Sequence, residues 1–131
     1  MSYETVDNVK YYLRNNEFYI VGDNSSTYGN GITDQSYEGE IIIPEKIKNK
    51  EIREIGRSSF EFCTKITKVT IFAKLTAIND HAFNCCENLK YINIPQTVTF
   101  MGSCAISPSG TSNVPLVLEF CKGRTKKSIP W

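Results

Sequence analysis

The chain lacks the sequence features of membrane-spanning and secreted proteins. It has 131 residues, and no apolar run approaches the roughly 20 residues that a transmembrane helix needs. Its first residues, MSYETVDNVKYYLRNNEFYIVG, do not place a basic segment before an apolar one, as a secretory signal does. We therefore expect no membrane insertion and a cytoplasmic location, where association with the cytoskeleton would fit. The cell surface is the alternative.

A strong net charge is also missing. The formal net charge of +1 gives no global field that would attract nucleic acid or a membrane surface. Basic residues are concentrated in the C-terminal tail at Lys122, Arg124, Lys126 and Lys127, which are candidate contacts for an acidic protein surface. Such a tail is more often a solvated end. No aromatic side chain lies among its bases before Trp131, so a nucleic-acid partner is not expected.

Histidine and cysteine are too few and too scattered to predict a catalytic or metal site. Five cysteines, an odd number, suit free thiols better than a disulfide framework. Cys85, Cys86 and His81 form one close cluster, but adjacent cysteines point apart in most local structures, which disfavours a metal site. His81 would need a positioned nucleophile and an orienting partner, and nothing in the sequence holds Asp80 or Cys85 in such a position. We expect no catalytic residue, no cofactor and no metal.

Apolar residues recur at a fixed offset of 23 residues through the middle of the chain. The matched positions are Phe60 and Phe83, Cys63 and Cys86, Ile66 and Leu89, Val69 and Ile92, Ile71 and Ile94, with the series Ile52, Leu75 and Val98 and the series Ile55, Ile78 and Met101. A period in the twenties marks a solenoid, in which each repeat stacks its apolar face on its neighbours. Solenoids usually present surfaces to partners, so this period favours a binding protein.

The chain divides into three segments of one predicted domain. We assign residues 1–39 to an N-terminal β-hairpin cap and loop, residues 40–106 to the repeats, and residues 107–131 to a closing strand and the basic tail. Within the first segment, Val9–Leu13 and Glu17–Val21 are rich in β-branched and aromatic residues and predict two strands. A last strand is predicted at Leu116–Phe120.

Each repeat is predicted to begin with a strand and to end with a turn. The strands are Glu40–Pro44, Lys68–Phe72 and Tyr91–Pro95. A second extended segment follows each strand, and then a helical or 3₁₀ turn at residues 58–63 and 80–85, which Ser58 or Asp80 would cap. The first unit carries five extra residues within KIKNKEIRE, which we interpret as a bulging turn.

The repeat motif is similar to a known family. The segments Ile66-x-x-Val69-x-Ile71 and Leu89-x-x-Ile92-x-Ile94 resemble the L-x-x-L-x-L core of leucine-rich repeats. The recurrence of Ala-Phe, Cys and Ile-Pro over residues 37–106 resembles the BspA-type class of these repeats. The resemblance implies an α/β, mainly β fold: a leucine-rich-repeat solenoid with 23-residue repeats and an N-terminal β-hairpin cap.

Alternation along the strands separates a buried face from an exposed one. Val69, Ile71, Ile92 and Ile94 are predicted to point inward. The outward residues Lys68, Thr70, Phe72, Tyr91 and Asn93 are the candidate partner-binding residues, with Pro95 beside them. Exposed aromatic and apolar groups on a regular sheet are the usual ingredients of a binding patch. An equal alternative is that the loop after the hairpin, or the tail, folds over this face.

These observations favour a non-enzymatic protein–protein interaction module whose partners are other proteins. We expect a small structural subunit, a scaffold docked in a larger intracellular assembly, and a cytoskeletal or axonemal particle would fit. Members of the family are commonly surface adhesins, so a cell-surface adhesin, or a fragment of one, is the first alternative. A thiol-dependent enzyme that requires Cys85 is the second.

Overall fold

The computed structural model describes residues 2–22, 37–107 and 117–120, and within them the chain forms short β-strands and no helix. In chain order the strands are β1 (Ser2–Val6), β2 (Val9–Arg14), β3 (Phe18–Val21), β4 (Gly39–Ile43), β5 (Lys46–Ile47), β6 (Lys50–Ile55), β7 (Ile66–Ile71), β8 (Ala77–Ile78), β9 (Phe83–Asn84), β10 (Tyr91–Ile94), β11 (Phe100–Met101), β12 (Ile106–Ser107) and β13 (Val117–Phe120). The fold is therefore mainly β, and the α part of the α/β prediction is wrong for the described residues.

Tight antiparallel hairpins join the strands near the N-terminus. β1 and β2 meet through Asp7 and Asn8, whose φ angles are 50° and 67°. Two successive positive φ angles define the type I′ turn, whose twist matches that of paired strands. Lys48 and Asn49 form the same kind of turn between β5 and β6, with φ angles of 49° and 66°. The bulging turn predicted in KIKNKEIRE is thus a regular hairpin.

The hairpin predicted from the sequence is present as β2 and β3. Its turn contains Asn15 and Asn16, both with positive φ, and the Glu17 amide donates to the Arg14 carbonyl oxygen at 2.9 Å. β1 has no counterpart among the predicted strands, and it pairs antiparallel with β2 along its whole length.

Three sheets build the repeat region. The first has the order β1-β2-β3-β6-β8-β11, with β5 added to β6; the second has the order β13-β10-β7-β4; the third pairs β12 with β9. Paired residues of neighbouring parallel strands lie 23 positions apart at Ile55 and Ile78, at Ile78 and Met101, and at Phe83 and Ile106. β4 and β7 instead pair Ile43 with Ile71, because the β5–β6 hairpin lengthens the chain between them.

The core lies between the sheets and consists of the repeated apolar residues. The predicted inward residues Val69, Ile71, Ile92 and Ile94 are buried, as are Phe60, Phe83, Cys63, Cys86, Ile66 and Leu89. The rings of Phe60 and Phe83 stack with their centroids 5.1 Å apart and their planes 8° apart. The predicted assignment of inward positions is confirmed.

The segments predicted as helical or 3₁₀ turns have another conformation. Ser58, His81 and Cys104 have φ angles of 57°, 59° and 53°, which a right-handed helix does not contain. Phe83–Asn84 is a strand rather than part of a helix. The Phe60 amide donates to the Ala82 carbonyl oxygen at 2.7 Å, so these backbone groups bond between units instead of within a helical turn.

The predicted helix caps have correspondingly different roles. Ser58 is buried and lies in the left-handed region. The Asp80 carboxylate accepts a hydrogen bond from the Ser103 amide at 2.8 Å. Asp80 therefore joins its own unit to the next one, and the capping prediction is wrong.

Candidate interaction surface

The outer face of the second sheet carries the residues that alternation predicted. Glu40, Lys68 and Tyr91 lie side by side on β4, β7 and β10. The Lys68 Nζ atom is 3.9 Å from Glu40 Oε2 and 5.2 Å from the centroid of the Tyr91 ring. An exposed ion pair of this kind contributes about 0–1 kcal/mol, so this row is weakly held and its side chains are able to rearrange around a partner.

The next row of this face is more apolar. Ile42 pairs with Thr70, whose hydroxyl donates to Glu40 Oε2 at 2.6 Å. Ile42 is 47% exposed and Phe72 is 62% exposed, values that are unusual for large apolar side chains on a sheet. The two residues lie near the same ends of neighbouring strands and give this face an exposed apolar area.

Asn93 has a structural role that sequence reasoning did not foresee. Its Nδ2 atom donates to the Ile71 carbonyl oxygen at 2.9 Å, and its Oδ1 atom accepts from the Ile71 amide at 2.7 Å. The backbone register between β7 and β10 ends at Ile92 and Val69, two residues before Ile71. The Asn93 amide thus replaces the backbone bonds that β10 would otherwise supply.

A groove begins where these two strands separate. It has a volume of 390 Å³ and is lined by Ile71, Phe72, Ala73, Lys74, Asn93, Pro95, Gln96 and Thr97. Pro95 is buried, so its predicted outward position is wrong. Proline has no amide hydrogen to continue the hydrogen-bond ladder between strands. The Ile-Pro pair at the end of the strand is therefore the sequence feature that could have indicated the groove.

His81 lies in a polar cluster on another side of the molecule. Its Nδ1 atom is 3.2 Å from Glu61 Oε2, to which Asn84 Nδ2 also donates at 2.8 Å. Burial, and next to it the negative charge of Glu61, raises the pKa of the nearby Cys85 thiol. Catalytic thiols have a lowered pKa, so this environment opposes a thiolate nucleophile.

No group of three or more His, Cys, Asp or Glu side chains in the described parts of the chain is arranged to hold a metal ion. Among these residues, no helix has the length and apolarity to cross a membrane.

Cys63 and Cys86 are buried free cysteines, as predicted. The Cys86 Sγ atom donates to the Phe60 carbonyl oxygen at 3.0 Å. Burial, followed by the proximity of Cys63, raises the pKa of the Cys86 thiol to about 12. These two cysteines thus belong to the core of the repeats.

The remaining candidate residues cannot be placed in this surface. Lys122, Arg124, Lys126 and Lys127 lie outside the described residues. The same holds for most of the loop after the N-terminal hairpin, residues 23–36. The candidates brought together are therefore the five on β7, β10 and the residue after β7.

The parallel sheets and the inward apolar ladder define a repeat protein, a class that generally binds other proteins through extended surfaces. A family model described as BspA type Leucine rich repeat region matches residues 24–115 in six copies. The chain therefore belongs to the BspA-type leucine-rich-repeat family.

Comparison with solved structures supports the same fold. A leucine-rich repeat protein from Bacteroides capillosus superimposes with a TM-score of 0.54, covering 92% of this chain and 99% of that chain. The two sequences are 18% identical, so the likeness concerns the fold alone. A search of the curated proteins found no significant match.

Proposed function

We propose that this protein is a non-enzymatic interaction module that docks, as a small structural subunit, in a larger intracellular assembly. The observation that carries the proposal is the outer face of the second sheet, where Ile42 and Phe72 are exposed on the same face as the half-buried Tyr91. Apolar and aromatic groups on a rigid sheet are typical of binding patches. A cytoskeletal or axonemal particle is the kind of assembly that uses many copies of a small subunit.

We further propose a solenoid of 23-residue repeats whose first end is capped by residues 2–22. The parallel pairing of β3 with β6 supports the cap, because β3 takes the position that a strand of a preceding repeat would have. A terminal repeat without such a cover would expose its apolar edge to water. The cap leaves the outer face of the second sheet as the surface for partners.

Partner capture at native abundance tests the binding function. Tyr91→Ala should weaken capture without changing the melting temperature, because this side chain lies on the outer face of the sheet and not in the core. Aromatic anchors of binding patches contribute roughly 2 kcal/mol or more. Phe100→Ala is the matched control, since Phe100 is a 51% exposed aromatic residue on the first sheet.

Salt dependence separates this face from the basic tail. Binding through Lys122, Arg124, Lys126 and Lys127 should weaken steeply as salt rises, whereas binding through an aromatic anchor should change little. A chain that ends at Phe120 removes the tail. If neither this truncation nor Tyr91→Ala lowers capture at low or high salt, neither surface is the binding site.

The adhesin alternative places the same surface outside the cell. It is supported by family resemblance, and imaging of a tagged full chain separates it from the first proposal. A cytoplasmic or filamentous signal favours the structural subunit, and surface labelling of intact cells favours the adhesin.

A further inference from the structure

The groove at the ends of β7 and β10 is built into the sheet. On one side, the Phe72 amide donates to the Ile43 carbonyl oxygen at 2.9 Å, so the end of β7 stays with β4. On the other side, Asn93 bonds to Ile71 through its side chain, and Pro95 has no amide hydrogen to continue the pairing. The opening is therefore maintained by hydrogen bonds.

The groove combines an apolar wall with an open side. Phe72, Ala73 and Pro95 are among its apolar lining residues. The volume of 390 Å³ lies near the lower end of the range of about 300–1,000 Å³ for ligand pockets. Because Phe72 is largely exposed at its rim, the groove suits a side chain that enters from a neighbouring surface.

The groove carries a positive charge, which suits an anionic partner group. Lys74 is the one charged residue among those that line it, and it forms no ion pair with any described residue. A lysine ammonium group only donates hydrogen bonds, so the partner group that suits it is an anionic acceptor.

We propose that this groove binds a segment of a partner protein in which a large apolar side chain is followed by a carboxylate. The apolar side chain packs against Phe72, and the carboxylate accepts from Lys74 Nζ. Charge complementarity with Lys74 selects the carboxylate, and the open side of the groove, with Phe72 exposed at its rim, selects a protein segment. The inference rests on the proposed interaction function and names the chemistry that it recognises.

Three matched peptides test the inference on the full chain. The probe is a capped hexapeptide with one phenylalanine followed by one aspartate. In the second peptide asparagine replaces the aspartate, and in the third alanine replaces the phenylalanine. Amide chemical-shift changes should saturate with the first peptide and map to residues 71–74 and 93–97. The asparagine peptide should bind about fivefold more weakly, as expected for an exposed ion pair, and the alanine peptide about tenfold more weakly.

Lys74→Gln tests whether Lys74 binds the carboxylate of the peptide. It should lower the affinity for the aspartate peptide to that for the asparagine peptide and leave the asparagine peptide unaffected. Lys90→Gln makes the same change at an exposed position before β10 and should leave both affinities unchanged. Both variants should retain the wild-type melting temperature.

The outcomes separate this inference from the proposed function. Absence of saturable shifts in the groove, or equal affinities of wild type and Lys74→Gln, overturns the inference. If partner capture still depends on Tyr91 in that case, the interaction function stands and its site is the strand face alone. If capture also fails to depend on Tyr91, the strand-face proposal fails with it.

Discussion

Individual core side chains contact their counterparts in the neighbouring unit. The stacked rings of Phe60 and Phe83 are the clearest case, and Tyr37 packs on Phe60 from the other side with the ring centroids 6.2 Å apart. Aromatic pairs in such arrangements contribute about 0.5–1.5 kcal/mol beyond the area they bury. A change at one position of this series therefore alters the packing of two units.

Phe83→Ala should strongly lower the stability of the protein. Its side chain is 1% exposed, so truncation removes apolar burial and leaves a cavity beside Phe60. We expect a loss of about 3–5 kcal/mol in the free energy of unfolding, measured by chemical denaturation. Phe100→Ala, at a residue that is 51% exposed, is the control and should be nearly neutral. A near-neutral Phe83→Ala would contradict the assignment of this residue to the core.

Cys86 should make stability fall at alkaline pH. Burial raises the pKa of its thiol from 9.0 to about 12, so above pH 9 the unfolded chain loses this proton while the folded chain keeps it. The stabilisation is complete below pH 9 and is lost as the pH rises toward 12. Denaturation series from pH 7 to 10 should show a shallower fall for Cys86→Ala than for wild type. Equal slopes would mean that Cys86 is not shielded in the folded protein.

At the scale of the element, strand β10 is joined to β7 partly by a side chain. Backbone pairing with β7 includes Tyr91 and Ile92. Beyond them, the side-chain amide group of Asn93 bonds to the backbone of Ile71. Buried or partly buried backbone groups without partners are costly, so this one side chain satisfies two groups that the diverging strands leave open.

Asn93→Ala should destabilise the end of this sheet and close or distort the groove. The Ile71 amide and carbonyl would both lose their partner, which we expect to cost about 1–3 kcal/mol in thermal or chemical unfolding. Asn88→Ala is the control, because Asn88 makes one exposed bond to the Thr64 carbonyl oxygen at 2.7 Å. Equal effects of the two changes would contradict the bridging role of Asn93.

At the scale of the whole molecule, the N-terminal strands pair directly with the repeats. β3 pairs with β6, and the Gly56 amide donates to the Val21 carbonyl oxygen at 2.9 Å. A Cβ atom on Gly56 would lie 2.6 Å from this oxygen, so the two segments approach each other as closely as a glycine allows. Ile52 and Ile55 on β6 are fully buried in this arrangement.

Removal of residues 1–22 should therefore expose the edge and the inner face of β6. We expect loss of cooperative unfolding, or self-association through the open strand edge, in size-exclusion chromatography and thermal melts. Gly56→Ala is a milder test and should lower the melting temperature, because the added methyl group separates β3 from β6. A truncated chain that stays monomeric and melts as wild type would show that these strands do not protect the repeats.

Local spacing explains how much of the fold could be predicted. Strands β2, β3, β4, β7, β10 and β13 were foreseen because their β-branched and aromatic residues alternate or end at a proline. The strand β1 was missed because SYETV alternates weakly and is recognised only through its pairing with β2. The turns at residues 58–63 and 80–85 were misassigned because part of their amide groups, those of Phe60 and Phe83 among them, bond to the next unit, which no local pattern records.

The spacing of apolar residues was enough to predict the offset of 23 residues between the paired positions Ile55 and Ile78 and the side of each strand that faces inward. Both depend on which side chains must leave water, and the order of residues records this. The roles of the outward residues depend instead on contacts between units. Asn93 and Lys68 looked equivalent as exposed polar residues, but Asn93 bridges Ile71 while Lys68 stays at the surface. The point at which two strands diverge depends on which backbone groups find hydrogen-bond partners in a neighbouring unit. These partners are distant in sequence, so the groove could be recognised only in the structure.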